Sequence, residues 1–581
     1  MHNKYLLTMK YDMIHINMRK YIYLFILFIN MYTCEVNAQP YTINKQVKGK
    51  KHMVVTAHPL ASEAGLIILK KGGNAIDAMV AVHFVLAVVY QRAGNIGGGG
   101  YLIYRRNHYD IQALDFRETA PELASRNMYI QQNGHINDSV SKDGHLASGI
   151  PGSVAGIYDA HKEHGTLPWK TLLQSAISYA ENGFLLTEKE AEELNKNRLD
   201  FKRLNNHKTV FYQDIPWKTG DKIVQKDLAN TLRMIQKYGK DGFYKGAIAD
   251  LIVKEMKSGG GIITHKDLSE YKPIWHKPIE FTYRDSFTVY TMPPSSAGGM
   301  ILNEMMNMSE TINLHSLGFH TTASIHWMAE TEKRAYADRA VYCGDADYYN
   351  VPIKGLTAKN YAKHRISTFN PMKTIPSEQM KEGTLQYASE ETTHYSIVDS
   401  YGQAVSVTTT LNGNYGSRVI VKGAGFVLNN EMDDFSVKPG TPNMFGLIGA
   451  EANAIQPGKR MLSSMTPLIV QKNDSLFLIA GTPGGATITT SMYQLLINMI
   501  DFDMSLQQAI HSPRFHHQWL PDILYHEADC FDTATKKELE QIGYTLKQRS
   551  AIGRIDAIYI APDTSIEGIG DNRGDDSASG E

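Results

Sequence analysis

The residues best suited to chemistry lie in the last third of this 581-residue sequence. Threonines stand at 392 and 393, the acidic cluster Glu431-Met432-Asp433-Asp434 follows, and paired serines stand at 463 and 464. A hydroxyl becomes a nucleophile once a base accepts its proton, carboxylates hold an ammonium group, and serine hydroxyls donate to a carboxylate. This part of the sequence therefore holds candidate hydroxyl nucleophiles, acidic groups able to bind an ammonium and hydroxyls able to bind a carboxylate.

A glycine-rich loop nearby could stabilise an oxyanion. The segment Leu468–Ala480 is predicted to be a hairpin turning at Asn473-Asp474, and it leads into Gly481-Thr482-Pro483-Gly484-Gly485. An apolar, helix-periodic stretch follows from about Ala486 to Met499. Glycines that open a helix after a strand expose N–H groups at the positive end of the helix dipole. The loop can therefore bind an anion or a developing oxyanion.

A second predicted hairpin positions Thr392. The segment Thr393–Val398 has strand character, Asp399-Ser400-Tyr401-Gly402 supplies turn residues, and Gln403–Thr410 is the returning strand. A turn centred near residues 400 and 401 places Thr392 opposite Thr409 or Thr410, with Cβ atoms roughly 4.5–5.5 Å apart. Threonine is also simply a good strand residue, so the hairpin alone does not establish a nucleophile.

The remaining elements interleave strands and helices without repeats or linkers. A strand is predicted at Met53–Ala57, a helix ends near Lys71, and a second helix runs from Asn74 to about Tyr90. This second helix is apolar almost all round, which indicates a helix buried in a large core rather than a membrane span. The run Gly97–Gly100 fits neither phosphate-binding glycine motif, so we predict that it allows close backbone packing.

Composition narrows the function classes. Lysine and arginine number 59 against 60 acidic residues, and 43% of residues are hydrophobic, which predicts a globular protein and argues against a nucleic-acid partner. Three cysteines without CxxC spacing do not indicate structural zinc. His516-His517 has no third ligand at useful spacing, so we expect a structural role for both histidines. No motif implies a metal or an organic cofactor.

The first 38 residues are predicted to be a signal peptide. Met18-Arg19-Lys20 precedes the apolar run Tyr21–Ile29, and Val36-Asn37-Ala38 places small residues before Gln39. The true start could be Met18, and a signal anchor or a lipoprotein attached through Cys34 are the alternatives. We expect an exported protein, periplasmic or secreted, whose mature chain begins near Gln39.

Several motifs occur together across nearly the whole mature chain. They are Gly73-Asn74-Ala75-Ile76-Asp77-Ala78, Asn95–Gly100, Asp115-Phe116-Arg117-Glu118, Pro151–Gly156, Thr392-Thr393-His394-Tyr395-Ser396, Leu428–Phe435 and Pro513–Gln518. This set resembles the γ-glutamyltransferase family of N-terminal nucleophile hydrolases. The resemblance implies an α+β fold with a four-layer αββα sandwich. It also implies that the precursor cuts itself between Glu391 and Thr392 into a large subunit, 39–391, and a small catalytic subunit, 392–581, which together form one αββα unit.

The chemistry of the family explains the need for this cut. The cut gives Thr392 a free α-amino group, whose unperturbed pKa is ~7.7–8.0. This amine can serve as the base for the Thr392 hydroxyl. By the resemblance, Thr392 first attacks the carbonyl of Glu391 and later the γ-carbonyl of glutathione or another γ-glutamyl compound. Gly484 and Gly485 hold the oxyanion, and the ester passes to water or to an amino acid or dipeptide.

The resemblance also implies roles for the binding residues. Arg117, Ser463 and Ser464 would hold the α-carboxylate of the γ-glutamyl group, and Thr410 would orient Thr392. The α-ammonium would be held by a further set of three residues, Asn412, Glu431 and Asp434. Pro439–Gly449 matches a lid loop in position, but Phe445 replaces the usual tyrosine. Gln91-Arg92-Ala93 is also unusual for the family.

Two other hypotheses about the function stay open. A cephalosporin acylase or poly-γ-glutamate depolymerase shares the threonine or serine terminus but accepts a different acyl group. An exported amino-acid-binding protein would keep the pocket and never cleave itself.

Overall fold

Two seven-stranded sheets lie face to face at the centre of the molecule, which is a computed structural model. The structure describes residues 40–380, 392–438, 440–441, 443–444, 446–447 and 449–581. The predicted signal peptide 1–38 with Met18, the cleavage residue Glu391 and the lid residue Phe445 lie outside the described residues.

The strands are numbered in chain order. They are β1 (Gln46–Gly49), β2 (Met53–Thr56), β3 (Gly99–Arg105), β4 (Ile111–Asp115), β5 (Phe184–Leu185), β6 (Lys222–Ile223), β7 (Ile274–His276), β8 (Ile279–Tyr283), β9 (Phe287–Thr291), β10 (Thr392–Val398), β11 (Ala404–Thr410), β12 (Leu468–Lys472), β13 (Ser475–Gly481), β14 (Phe515–His516), β15 (Leu524–His526), β16 (Leu546–Gln548), β17 (Asp556–Ile560), β18 (Ile566–Gly570) and β19 (Ser577–Gly580).

The α-helices are numbered in the same way. They are α1 (Pro59–Lys70), α2 (Ala75–Val89), α3 (Asp138–Lys142), α4 (Ser153–His164), α5 (Trp169–Leu172), α6 (Gln174–Asn182), α7 (Glu188–Leu204), α8 (Lys226–Tyr238), α9 (Asp241–Tyr244), α10 (Gly246–Gly259), α11 (His265–Glu270), α12 (Gly298–Ser309), α13 (Thr322–Tyr342), α14 (Ile353–Leu356), α15 (Lys359–Ile366), α16 (Thr487–Ile500), α17 (Leu506–His511) and α18 (Thr533–Gln541).

Both large sheets are antiparallel. The first has the order β1-β18-β17-β13-β12-β9-β8, and the second has the order β19-β2-β10-β11-β3-β4-β7. The hairpin β10–β11 therefore lies near the middle of the second sheet, between strands that precede it by about 300 residues in the chain.

Alternating side chains of these strands build three apolar layers. Val54 of β2 packs into the core beneath α1 and α2, and its neighbour Val55 packs between the two sheets. Likewise, Ile479 of β13 packs between the sheets and Leu478 packs toward α12 and α16. Both faces of the second sheet are covered near its middle, where every residue of β3, β10 and β11 is buried. This order of layers confirms the predicted α+β fold and its four-layer αββα sandwich.

The predicted buried helix is α2. Asn74 caps its first turn by accepting from the Asp77 N–H at 2.9 Å, and Asp77 accepts in return from the Asn74 N–H at 3.0 Å. Every residue of α2 is buried. Among the described residues, no helix is both long and apolar enough to cross a membrane.

The glycine run packs backbone against backbone, as predicted. A Cβ added to Gly98 would lie 2.1 Å from the Thr410 carbonyl oxygen, and one added to Gly100 would lie 2.4 Å from that of Thr408. A larger side chain would therefore push β11 away from β3.

Candidate active site

The hairpin β10–β11 places Thr392 directly opposite Thr410. Sequence reasoning left Thr409 and Thr410 as alternatives, and the register pairs Thr409 with Thr393 instead. Thr392 is only 1% exposed. The first residue of β10 and the last residue of β11 thus bring two hydroxyl-bearing side chains to one end of the hairpin.

The chain leaving Thr410 turns back to hold Asn412. The Asn412 N–H donates to Thr410 Oγ1 at 2.7 Å, and Asn412 adopts a left-handed backbone with φ of 77°. Its side-chain amide donates to the Asn430 carbonyl at 3.0 Å, next to Glu431. These contacts link Thr410 and Asn412 at the end of β11 to Asn430, the residue just before the acidic cluster.

The glycine loop lies at the end of β13 beside the same hairpin. A Cβ added to Gly481 would lie 2.3 Å from the imidazole of His394 on β10. Gly484 and Gly485 both have positive φ, 135° and 56°, and helix α16 follows them. Within the described part of the chain, neither of their N–H groups donates a hydrogen bond to protein. The loop therefore retains two backbone donors at the start of a helix, as an oxyanion site requires.

His394 is the histidine of the hairpin, but it is poorly suited to act as a base. Its ring nitrogens contact Thr408 Oγ1 at 2.9 Å and Ser396 Oγ at 3.0 Å. Burial lowers its pKa to about 3, so the ring is neutral. The hairpin histidine is thus a buried structural partner of two hydroxyls and not a partner of Thr392.

Arg117 lies at the centre of a buried charge cluster. Its Nη1 is 2.7 Å from Glu431 and 3.7 Å from Glu118, and its Nη2 pairs with Asp434. The guanidinium is 1% exposed, and its Nε donates to the Met461 carbonyl at 3.3 Å. One cation therefore faces three carboxyl groups, two of which the sequence predicts to be ammonium ligands.

This arrangement shifts the pKa values of Arg117, Glu118 and Asp434. Burial opposes the charge of Arg117, but Glu431 and Asp434 raise its pKa above the usual range. Burial raises the pKa of Glu118, an effect that Arg117 opposes. Burial likewise raises the pKa of Asp434 to about 6, again opposed by Arg117. Burial thus raises the pKa of two carboxyl groups of the cluster, while the charge of Arg117 keeps both lower than burial alone would.

The paired serines lie between the charge cluster and helix α13. Ser463 Oγ accepts from the Met465 N–H at 3.1 Å, and Ser464 Oγ accepts from Nη2 of Arg339 at 3.0 Å. Arg339 also lowers the pKa of Asp434, which places it near the charge cluster. Sequence reasoning missed Arg339, although an arginine within a buried helix is itself a signal, because such a charge needs a partner.

The described residues of the lid segment contact the acidic cluster. The Asn443 side-chain amide donates to Asp434 at 3.0 Å, and the Met444 N–H donates to Asp433 at 2.7 Å. Met444 also lies 3.7 Å from the Asn412 amide through its sulfur. Asn443 and Met444 of the predicted lid segment therefore contact two of the residues that the sequence predicts to bind the ammonium, Asp434 and Asn412.

The two C-terminal histidines contact protein groups, and their structural role stays a prediction. His516 Nδ1 lies 2.8 Å from Thr490 Oγ1, and its Nε2 lies 3.1 Å from Gln518 Oε1. His517 Nε2 lies 3.2 Å from Asp522. Both rings are buried, and the contacts of each are to protein groups.

Comparison with known proteins gives the family. Residues 61–581 match the sequence model of the family described as Gamma-glutamyltranspeptidase. The glutathione hydrolase proenzyme of Escherichia coli (strain K12) is 43% identical over 532 residues, which cover 91% of this chain and 91% of that protein. The crystal structure of cephalosporin acylase from Bacillus halodurans has a TM-score of 0.82 at 26% identity and covers 94% of this chain and 98% of that one. The crystal structure of Helicobacter pylori gamma-glutamyltranspeptidase is 44% identical, with a TM-score of 0.55, and covers 56% of this chain and 94% of that one. The chain therefore belongs to the gamma-glutamyltranspeptidase family of N-terminal nucleophile hydrolases.

Proposed function

We propose that this protein is a γ-glutamyltransferase and glutathione hydrolase whose nucleophile is Thr392. The observation that carries the proposal is the register of the central hairpin, which sets Thr392 opposite Thr410 beside the glycine loop. The similarity to the Escherichia coli glutathione hydrolase proenzyme supports the choice of acyl donor.

Maturation supplies the base that the uncleaved chain lacks. The Thr392 hydroxyl attacks the carbonyl carbon of Glu391, and the acyl group moves from the Thr392 nitrogen to its oxygen. Water then hydrolyses this ester and leaves Glu391 as a carboxylate and Thr392 with a free α-amino group. The products are a large subunit, 39–391, and a small subunit, 392–581. Since burial makes His394 a weak base and its ring nitrogens contact Thr408 and Ser396, the new amine is the base that we assign to the nucleophile.

The catalytic cycle uses the same hydroxyl twice. The α-amino group accepts the Thr392 proton while Oγ attacks the γ-carbonyl of glutathione, and the N–H groups of Gly484 and Gly485 stabilise the oxyanion. The proton passes to the departing nitrogen of the dipeptide, which leaves a γ-glutamyl ester. Water or the amine of an amino acid or dipeptide then attacks the ester. Glutamate or a new γ-glutamyl peptide is released.

Charged and polar side chains of the site recognise the α-ammonium and the α-carboxylate of the γ-glutamyl group. Asn412, Glu431 and Asp434 hold the α-ammonium, because carboxylates and amide oxygens are the acceptors that an ammonium requires. The α-carboxylate is bound by another set of residues, namely Arg117, Ser463 and Ser464. Their burial supports this role, because a buried charge pair discriminates strongly against substrates that lack one partner.

Two competing activities follow from the alternatives left open by the sequence. The structure of a cephalosporin acylase from Bacillus halodurans has a similar fold, and such an activity would require an acyl group other than γ-glutamyl. The buried acidic cluster favours a donor that carries this ammonium. A binding protein that never cleaves itself would need neither Thr410 opposite Thr392 nor free donors in the glycine loop.

We also propose that the protein is exported and acts in the periplasm or after secretion. The basic, apolar and small-residue regions of residues 18–38 support this localisation.

The test is intact mass and N-terminal sequencing of the purified protein, together with turnover of γ-glutamyl and glutaryl anilides. We expect two chains, the smaller beginning Thr392-Thr393-His394, and activity on the γ-glutamyl anilide. Thr392→Ala is expected to stay as one inactive chain, because the nucleophile of both reactions is gone. Thr393→Ala is the matched control and should still cleave, since Thr393 is buried opposite Thr409. Cleavage in Thr392→Ala, or activity on glutaryl amides alone, contradicts the proposal.

A further inference from the structure

A cavity of about 860 Å³ opens at the end of the two sheets that lies away from Thr392. Strands of both large sheets line it, through Arg105 of β3, Val398 of β10, Phe477 of β13 and Tyr559 of β17. Thr392 is the first residue of β10 and Val398 is the last, so a seven-residue strand, roughly 20 Å long, separates the two ends. The cavity has the volume of a small-molecule site and is distinct from the candidate active site.

Arg105 is a buried cation whose side chain donates to neutral groups. It is 8% exposed, its Nε donates to Gln471 Oε1 at 2.9 Å, and its Nη1 donates to the Gly402 carbonyl at 2.6 Å. Among the described residues, its Nη2 has no hydrogen-bond partner and no carboxylate forms an ion pair with the guanidinium. Burial lowers the pKa of Arg105, as expected when no counter-charge balances the loss of water.

Other arginines with similar burial pair with a carboxylate. Arg334 pairs with Glu330, and Arg460 pairs with Asp115. A guanidinium removed from water without a counter-charge is unfavourable, so proteins usually pair such groups. An anion in the cavity would give Arg105 the counter-charge that these other arginines have.

The guanidinium of Arg105 is held in a fixed orientation. Gln471, which accepts from its Nε, is 1% exposed, and its own amide donates to Tyr290 Oη at 3.3 Å and to the His108 carbonyl at 3.4 Å. Two nitrogens of the planar group are thus fixed by protein, and Nη2 is the nitrogen left to donate to a ligand.

The charges around the cavity also favour an anion. Besides Arg105, the charged lining residues are Lys50, Lys51, Lys472, Asp399 and Asp474. Asp399 is already engaged, because its Oδ1 accepts from the Tyr401 N–H at 2.8 Å and its Oδ2 from the Ala75 N–H at 2.9 Å. Four cations therefore stand against two carboxylates, one of which is occupied by backbone donors.

One wall of the cavity is apolar. The rings of Phe477 and Tyr559 pack edge to face with their centroids 5.3 Å apart, and both side chains are only half-buried. Leu476, Ile560 and Ile566 extend the same lining. Such a surface suits the apolar part of a ligand, since its burial on binding is favourable.

We propose that this cavity is a second binding site, which takes a small organic anion with an aromatic or aliphatic body. Arg105 Nη2 donates to the carboxylate or sulfonate of the ligand, and the wall around Phe477 and Tyr559 packs against its body. This inference goes beyond the proposed function and does not depend on it, since none of these residues belongs to the candidate active site.

The experiment is a fluorescence titration of the mature enzyme with 8-anilinonaphthalene-1-sulfonate, an aromatic anion that becomes brighter in apolar surroundings. We expect saturable binding, and we expect Arg105→Gln to weaken it at least about tenfold, because the sulfonate loses a charged donor. N-phenyl-1-naphthylamine has the same rings without the sulfonate, and its binding should change little in this variant. Equal binding of the sulfonate probe by the wild type and Arg105→Gln overturns the proposal.

Arg106→Gln is the matched control. Arg106 is the next residue in the chain, but its side chain is exposed and pairs with Asp110 at 3.8 Å. This variant removes the same charge outside the cavity, so the affinity for the sulfonate probe should not change. A loss as large as that in Arg105→Gln would mean that general positive charge attracts the probe, and it would contradict the proposal.

Two measurements on the wild type keep the test decisive if Arg105→Gln does not fold. Saturating glutamate should not displace the probe, because the cavity lies at the other end of β10 from Thr392. A crystal structure with the probe should place its sulfonate within hydrogen-bond distance of Arg105. Displacement by glutamate, or a probe that binds elsewhere on the protein, overturns the proposal.

Discussion

At the residue scale, the sequence indicates which side chains take part but not how they pair. Arg117, Glu431 and Asp434 were all predicted to be site residues from their motifs. Their direct pairing joins positions more than 300 residues apart, and no local pattern encodes such a contact. Arg339 shows the same limit, because its hydrogen bond to Ser464 joins two distant segments and appears only in the structure.

The raised pKa of Asp434 predicts an acid limit to donor binding. Burial raises this pKa to about 6, although Arg117 opposes the shift. The carboxyl is therefore ionised above this pH and gains a proton as the pH falls through it, losing its attraction for the α-ammonium. We expect kcat/KM for a γ-glutamyl donor to fall as the pH drops below about 6, as a pH–rate profile would show.

Asp434→Asn is the control for this assignment. It should lower kcat/KM across the whole range and remove the limb near pH 6, because its amide does not titrate. A limb that persists unchanged in this variant would mean that another group causes it.

At the element scale, the sequence predicted the two hairpins and the start of helix α16 to within one or two residues. Apolar alternation and turn residues are local signals, so the bounds of β10, β11 and β13 follow from them. The choice between Thr409 and Thr410 did not, because a shift of one residue in the turn changes the register. The glycine run was correctly predicted to pack closely, since its motif suited no phosphate.

Gly98→Ala tests how this packing holds the site. The new Cβ would lie 2.1 Å from the Thr410 carbonyl oxygen, so the end of β11 must move. We expect a loss of stability of about 1–3 kcal/mol and slower self-cleavage, measured by denaturant unfolding and by the ratio of precursor to subunits.

Gly355→Ala is a suitable comparison for Gly98→Ala. Gly355 lies in the short helix α14 with only Pro352 near its added Cβ, at 3.9 Å, so neither quantity should change appreciably. Normal processing and stability in Gly98→Ala would show that β11 tolerates the displacement.

At the scale of the whole molecule, the two predicted subunits share both sheets. In the second sheet, β10 and β11 of the small subunit lie between β2 and β3 of the large one, and in the first sheet β12 pairs with β9. The order of strands depends on pairing between distant segments, which the sequence pattern alone does not specify. Here the resemblance to a family implied the layers, and the structure shows which strand lies beside which.

This interleaving predicts that cleavage does not release the chains. We expect native mass spectrometry to find one particle that contains both subunits, and denaturing electrophoresis to separate them. Each chain alone would expose unpaired strands and apolar faces, so dissociation under native conditions would contradict the arrangement of strands.

Because β10 lies in the middle of its sheet, we expect enzyme activity to appear only after the chain has folded. The hairpin that carries Thr392 is complete only after β2 and β3, from much earlier in the chain, have paired with its two strands, and contacts of such long sequence separation form slowly. Under the proposed mechanism, a nascent or misfolded chain has no N-terminal threonine and hence no peptidase-like reactivity during its transit through the cell. The intact peptide bond before Thr392 thus keeps the precursor inactive until the fold is complete.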